Sequence, residues 1–403
     1  MSSPKGDPSA LRAQNRRTVL NHLRRHGPVS RTQLVDSTGL SAASISGITA
    51  ELIQDRLLVE RSVGEAGATG GRRPIFLDIH YDVHYAIGLK LREDRLEAVL
   101  TDLSTRVLVH LTEDLSGKTP PQVTAHIKAV VKKLGRRGKI DPSDLIGIGI
   151  GLSGVIDART GTAVHAPLLG WRQVPIGRLV AEACQLPTFV DNDVSAFAAA
   201  ERLFGNGKHA TNFLTVAIGR GVGAALVVNG EVYRGRNGGA GEFGHNVVAP
   251  HGRTCSCGRQ GCLEAYTAEP ALLAQFTERH PEHAGLNVDT LVRLAEGGHP
   301  GALDVLATAG ALLGTHLSYL VNTLNPELIV VGGEGGRLGP AYFTPVRDTL
   351  RRLAFDGLAD DLPLVVVPWH DDDFTPWARG AASLAVQHAF ETGGLLKGTA
   401  MPS

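Results

Sequence analysis

The sequence predicts an α/β protein preceded by a small helical head. Three observations lead there. From about residue 82 onward, apolar strand-like runs alternate with helical ones, the pattern of α/β folds. Ahead of them stand three short helical segments separated by glycine turns. Between residues 241 and 264, three cysteines and a histidine crowd into a glycine-rich stretch. With 403 residues the chain exceeds one ordinary core, so two or three domains are expected. A hydrophobic share of 43% and a charged share of 20% exclude a disordered or fibrous chain. No run of eighteen apolar residues appears, so neither a membrane span nor a membrane partner is expected. The opening MSSPKGDPSALRAQNRR lacks an apolar signal core, so a cytoplasmic location is expected.

Within the head, residues 1–35 hold seven Lys or Arg against one acid, Asp7, while the whole chain is neutral. A basic start on a neutral protein points to nucleic acid, although a solvated basic helix explains the charge alone equally well. Leu11 to His26 reads as a helix with Leu11, Val19, Leu20 and Leu23 on its apolar face, ended by Gly27-Pro28. Ser30 caps a second helix, Arg31 to Ser37. Thr38-Gly39-Leu40 turns the chain, and Ser41 caps a third, Ala42 to Gln54, with Ile45, Ile48, Leu52 and Ile53 at helical spacing. Two short helices joined by a glycine turn form a helix-turn-helix. The third helix is expected to expose Ser41, Ala43, Ser44, Ser46 and Thr49, residues small enough to enter a major groove. Leu57 to Glu60 and Ile75 to Leu77 read as strands flanking a Gly-rich wing that carries Arg72 and Arg73, suited to a narrow minor groove. The candidate DNA contacts are therefore Arg31, Thr32, Ser41, Ala43, Ser44, Ser46, Arg72 and Arg73.

Beyond the head, strands are expected at His84–Leu91, Leu96–Asp102, Leu145–Leu152, 188–190, 212–218 and 328–331. Helices are expected at 121–134, Ile176–Cys184, from Val194, at 302–324 and at 378–390. The expected organisation is a winged helix-turn-helix over 1–80, one lobe over 81–200 completed by the helix at 378–395, and a second lobe over 201–377. A cleft between two lobes is the usual place for a small ligand.

The segment GEFGHNVVAPHGRTCSCGRQGCLE places His245, Cys255, Cys257 and Cys262 at spacings suited to a tetrahedral zinc site. Four ligands leave no open position, so such a zinc is structural. His251 is a rival for the imidazole position. Three buried, unliganded cysteines are the plainer alternative, disfavoured by their crowding.

These residues resemble the ROK family of repressors, open reading frames and kinases. Its pattern, Gly-Glu-x-Gly-His followed by Cys-x-Cys-Gly-x-x-Gly-Cys-Leu-Glu, is matched by Gly241 to His245 and by Cys255 to Glu264. The resemblance covers about residues 82–392, and the head resembles the winged helix of the family's repressor branch. It implies an actin-like, hexokinase-like two-lobed fold, a sugar or sugar phosphate as effector, a homodimer or homotetramer, and a double-stranded operator as partner. By position it implies a sugar site at Ser153, Gly154, Asn192, Asp193, Glu242, His245 and Glu264. In the family's kinases the residue at Asp193 is the general base. Their first phosphate loop, of Asp-x-Gly-Gly-Thr form, is replaced here by Lys90-Leu91-Arg92-Glu93-Asp94, and the second, Gly219-Arg220-Gly221, carries Arg220 where Thr is usual. ATP binding is therefore not expected, and Asp193 reads as a hydroxyl acceptor in a sensor, most simply a repressor of carbohydrate metabolism. An active kinase with a DNA-binding head, and a regulator controlled by a protein partner, are the alternatives.

Overall fold

A computed structural model describes residues 8–62, 75–370 and 373–395. The chain divides into two compact units: Met1–Phe204 with Thr375–Ser403, and Gly205–Phe374.

The first unit begins with α1 (Pro8–His26), β1 (Val29–Ser30), α2 (Arg31–Thr38), α3 (Ala42–Gln54), β2 (Leu58–Ser62) and β3 (Ile75–Ile79). Ser30 starts α2 with a reciprocal cap: its hydroxyl accepts from Gln33 N, and Gln33 Oε1 accepts from Ser30 N. Gly39, in the left-handed region at φ 70°, ends α2. The Ser41 hydroxyl then accepts from Ser44 N at 3.2 Å and starts α3. Val19, Leu20, Leu23, Leu34, Ile45, Ile48 and Leu52 are buried between the three helices. Two expectations fail here. Leu11 is 59% exposed, because it lies beyond the stretch of α1 that packs. Thr49 is fully buried, because it shares the i, i+3, i+4, i+7 stripe with Ile45, Ile48 and Leu52. Its hydroxyl donates to Ser46 O and accepts from Arg31 Nε, both at 3.2 Å. The three strands pair in the order β1-β3-β2. The loop carrying Arg72 and Arg73 lies outside the described residues.

The unit continues with β4 (Tyr85–Leu91), β5 (Arg95–Asp102), β6 (Val107–Asp114), α4 (Pro120–Gly138), β7 (Leu145–Leu152), β8 (Val155–Asp157), β9 (Thr162–Ala166), β10 (Trp171–Val174), α5 (Ile176–Cys184), β11 (Thr188–Asn192) and α6 (Asp193–Phe204). Its main sheet runs β11-β7-β4-β5-β6: β4, β5 and β6 are antiparallel neighbours, and β7 and β11 are parallel to β4. Strands β8 to β10 make a small separate sheet.

The second unit holds β12 (Phe213–Ile218), β13 (Val222–Val228), β14 (Glu231–Tyr233), α7 (Glu264–Thr267), α8 (Glu269–Arg279), α9 (Val288–Glu296), α10 (Pro300–Leu324), β15 (Leu328–Gly332), α11 (Pro340–Leu353) and β16 (Leu364–Val366). Its sheet, β14-β13-β12-β15-β16, repeats the topology of the first: an antiparallel meander on one side, two parallel strands on the other. Helix α10 is long and apolar enough to cross a membrane by length and composition alone. Half of its apolar window is buried against this chain, with α11 as its main neighbour, so it is a core helix here.

The last helix, α12 (Thr375–Thr392), returns to the first unit and covers β4 and β7. Two glycines make room for it. A Cβ on Gly88 would fall 2.0 Å from Ala378 O, and one on Gly149 only 1.7 Å from Ala381 O. The far end of α12 seats the head: Asn21 Nδ2 donates to Phe390 O at 2.9 Å, and Arg16 Nε donates to Gly393 O at 2.6 Å. Leu20, Leu23 and Ile79 of the head share one core with Ala86, Ala382 and Val386.

Two histidines sit in this packed region. His84 Nε2 lies 3.2 Å from Asp55 O just past α3, and His388 of α12 lies against Phe189 with ring centroids 4.9 Å apart. Burial holds both below the ordinary histidine range. The unfolded chain takes up these protons near pH 6.5 and the folded chain resists them, so stability is complete above that pH and declines as pH falls through it. We expect the melting temperature to drop between about pH 7 and pH 5.5, and to drop less in His388→Gln. An equal drop in both proteins would remove His388 from this account.

Candidate functional site

The outward face of α3 carries small side chains. Ser41, Ala43 and Ser46 are exposed, and Ser44 is half-buried with its hydroxyl 2.9 Å from that of Ser41. Thr32 is exposed at the start of α2. Arg31 is half-exposed: its guanidinium pairs with Glu60 at 2.7 Å and meets Thr49, bracing α2 against α3 and β2. Much of the basic start is also paired. Arg12 pairs with Glu51, Arg16 with Glu51 and Asp55, and Arg24 is buried.

In the first unit, four of the expected sugar residues come together where β7 and β11 end. Asn192 closes β11; its Oδ1 accepts from Val194 N at 2.9 Å and its Nδ2 donates to Gly154 O at 3.0 Å. Asp193 opens α6, and its Oδ2 accepts from Ser153 Oγ at 2.8 Å and from Lys90 Nζ. Lys90 is buried and lies 5.3 Å over the Trp377 ring. Burial opposes ionisation of Asp193, but Lys90, Ser153 and Val194 N–H outweigh it and hold the carboxyl below its usual range. Sequence reasoning treated Lys90 only as a lost phosphate-loop acid and missed it as the partner of Asp193. The available signal was a lysine inside an apolar strand, which requires a buried counter-charge.

In the second unit, His245, Cys255, Cys257 and Cys262 converge so that one ligand atom from each lies within 4.8 Å of all the others. Cys257 Sγ is 3.7 Å from Cys262 Sγ, and Cys255 Sγ is 3.6 Å from His245 Nδ1. Ligands on a tetrahedron with metal–sulfur bonds of about 2.3 Å stand roughly 3.8 Å apart, so the four fit a metal ion. His251, the rival, is exposed and outside the cluster. Gly258 and Gly261, at φ 84° and 75°, give the knuckle its left-handed turns. Burial works against ionisation of Cys257, yet the backbone N–H and side chain of Arg259 bring it down to about 7.

The acids of this unit are arranged around that knuckle. Glu264 Oε1 accepts from Ser256 Oγ, between two of the cysteines, at 2.6 Å; its Oε2 accepts from Val222 N at 3.1 Å. Glu242 Oε2 lies 3.8 Å from His245 Nε2, the ring nitrogen turned away from Cys255. A Cβ on Gly219 would fall 2.5 Å from Glu334 Oε2, so a carboxylate covers the turn between β12 and β13. Glu334 was not singled out by sequence.

Comparison with known proteins agrees with this geometry. A family model described as the ROK family matches residues 86–388. The chain is 28% identical over 382 residues to the xylose repressor of Bacillus spizizenii, covering 95% of this chain and 97% of that one. It is 28% identical over 367 residues to the DNA-binding transcriptional dual regulator NagC of Escherichia coli, covering 89% and 90%. Among solved structures, a ROK family transcriptional regulator homologous to the E. coli MLC protein superposes with a TM-score of 0.84 at 27% identity, over 95% of this chain and 98% of that one. A ROK family glucokinase from Streptomyces griseus, solved with glucose and AMPPNP, gives 0.63 at 26% identity, over 74% and 98%. The match to the family model runs through both sheets and the cysteine knuckle, and on that ground the chain belongs to the ROK family.

Proposed function

We propose that this protein is a sugar-responsive transcriptional repressor whose effector occupies a kinase-type sugar site without being phosphorylated. The Lys90–Asp193 ion pair carries the reading. A general base needs a free lone pair and a pKa near the working pH. Asp193 gives Oδ2 to Lys90 and Ser153 and is held in the acid range, so it accepts hydrogen bonds well and protons poorly. A carboxylate supplies a second argument: Glu334 stands over Gly219, in the second phosphate loop, and opposes a polyphosphate there.

The proposed sugar ligands are Ser153, Gly154, Asn192 and Asp193 in the first unit, and Glu242, His245 and Glu264 in the second. Carboxylates and an amide are suited to neighbouring hydroxyls. The proposed metal is zinc on His245, Cys255, Cys257 and Cys262, which would hold the knuckle closed; Ser256 then fixes Glu264. The proposed DNA contacts are Arg31, Thr32, Ser41, Ala43, Ser44 and Ser46, with Arg72 and Arg73 of the wing; Arg31 also braces α2 against α3 and β2. Two heads of a homodimer or homotetramer in the cytoplasm would meet two operator half-sites. The repressor names of the full-length relatives favour this reading over an enzyme.

The test is a melting-temperature titration of the zinc-loaded chain with D-xylose, D-glucose, N-acetylglucosamine and its 6-phosphate, with and without Mg-ATP. A bound sugar at a hundred times its Kd adds about 2.7 kcal/mol. We expect one sugar to raise the melting temperature, no further rise with Mg-ATP, and no ADP release. Sugar-dependent ADP release would make the protein a kinase, and silence toward every sugar would transfer control to a protein partner.

A further inference from the structure

Helix α6 joins two places of different character. It opens at Asp193, beside Ser153 and Lys90. It closes at Phe204, where the last carbonyls of a helix lack partners within it. Two of these, Arg202 O and Leu203 O, accept from Nη1 of Arg24, a residue of α1, the helix packed against α2 and α3; the first contact measures 3.3 Å. The Arg24 side chain is 3% exposed, and its guanidinium lies 6.0 Å over the Phe204 ring. Its Nε donates to Asn21 Oδ1 at 3.2 Å, and Asn21 in turn holds Phe390 O of α12. Burial, with Arg202 and Arg25 adding repulsion, draws Arg24 down to about 10. A cation at the negative end of a helix is electrostatically sound, but burying one is costly where an apolar side chain would pack as well. Every residue of α6 from Val194 to Leu203 is buried, so the helix shifts as one body. At 1.5 Å per residue it spans about 18 Å.

We propose that Arg24 is a positioning residue that fastens α1, and with it the head, to α6, so that a displacement of Asn192 and Asp193 at one end reaches α1 at the other. What displaces them, an effector sugar, rests on the function proposed above; the mechanical link does not. The guanidinium suits the task because its donors are held in one plane and track two adjacent carbonyls. An apolar residue would slide where Arg24 must follow.

The link is tested without sugar or DNA, by backbone hydrogen exchange on the full chain as wild type, Asp193→Asn, Arg24→Gln and the double variant. Asp193→Asn weakens the pull of Lys90 on the first turn of α6. We expect it to raise exchange several-fold in the C-terminal half of α1 when Arg24 is present. In the Arg24→Gln background we expect α1 to exchange faster from the outset, with no further change from Asp193→Asn. A purely structural Arg24 would give additive effects instead. Equal effects of Asp193→Asn on α1 in both backgrounds, or effects confined to the first turn of α6, would overturn the proposal. If Arg24→Gln does not melt cooperatively, the same cycle with Arg24→Lys decides, since lysine keeps the charge but not the planar fork; an intermediate loss of coupling is expected and full coupling would count against the proposal. Because no sugar enters any arm, a silent sugar panel would defeat the effector reading and leave this result standing.

Discussion

We expect Cys262→Ser to abolish binding of the proposed zinc and to unfold the knuckle of the second unit. Cys262 is fully buried, its sulfur faces that of Cys257, and its backbone bridges to Val247. The next residue, Leu263, donates to Asn246 O, and Glu264 after it begins α7. Losing one of four ligands therefore loosens the loop holding Ser256, and with it the anchor of Glu264. Structural zinc contributes on the order of 10 kcal/mol in small zinc folds, so a missing thiolate removes a large part of what closes this loop. The measurement is zinc per chain, together with the melting curve. We expect about one zinc in the wild type and none in Cys262→Ser, with an early transition that added zinc does not restore. His251→Ala, outside the cluster, should keep both zinc and melt. A Cys262→Ser protein with full zinc and an unchanged melt would remove the cluster from the metal-site account.

Gly149→Ala costs more than an ordinary core substitution. The added methyl would stand 1.7 Å from Ala381 O and 2.6 Å from Ala381 C, backbone atoms of α12 that have no rotamer to change. Overpacking against side chains typically costs 1 to 3 kcal/mol; against backbone we expect about 4 kcal/mol or more in chemical denaturation. Gly135→Ala, with nothing within 4 Å of its new methyl and a place in α4, should instead gain up to about 1 kcal/mol. Since α1 is seated on α12, Gly149→Ala should also weaken operator binding, although Gly149 lies in a strand far along the chain from the head. Equal stabilities for the two alanine variants would mean that α12 does not lie against β7 as described.

The parts of the fold legible in the sequence are those whose signals are local. Helix α3 begins at Ala42 and ends at Gln54 as expected, because a serine cap and an unbroken apolar stripe mark both ends. Strand β7 and helix α5 were equally plain. Strands β6, β8 to β10, β13, β14 and β16 were not placed. Several are three to five residues long, and β6 is half exposed at a sheet edge, so each owes its existence to distant partners rather than to its own pattern. The repeated sheet order of the two units left no trace a sequence period could reveal.

The cysteine knuckle was legible because its three thiols and imidazole stand at a spacing that brings them together, the residue types and spacing a metal site would require. The basic head was read for a partly mistaken reason. Its net charge pointed to DNA, yet Arg12, Arg16 and Arg31 pair with acids of the head and Arg24 is buried against the end of α6. Nor could Lys90 and Asp193, 103 positions apart, announce that they pair.

The excursion of the chain out of the first unit at Phe204 and back at Thr375 has a consequence for synthesis. Helix α12 covers the first sheet and seats α1, but it leaves the ribosome only after the whole of the second unit. A chain halted anywhere in the second unit lacks that seat and exposes the apolar faces of β4 and β7. Such fragments are natural substrates for chaperones and proteases. The head thus reaches its finished setting, with α1 seated on the end of α12, only in a chain that has already passed through the second unit.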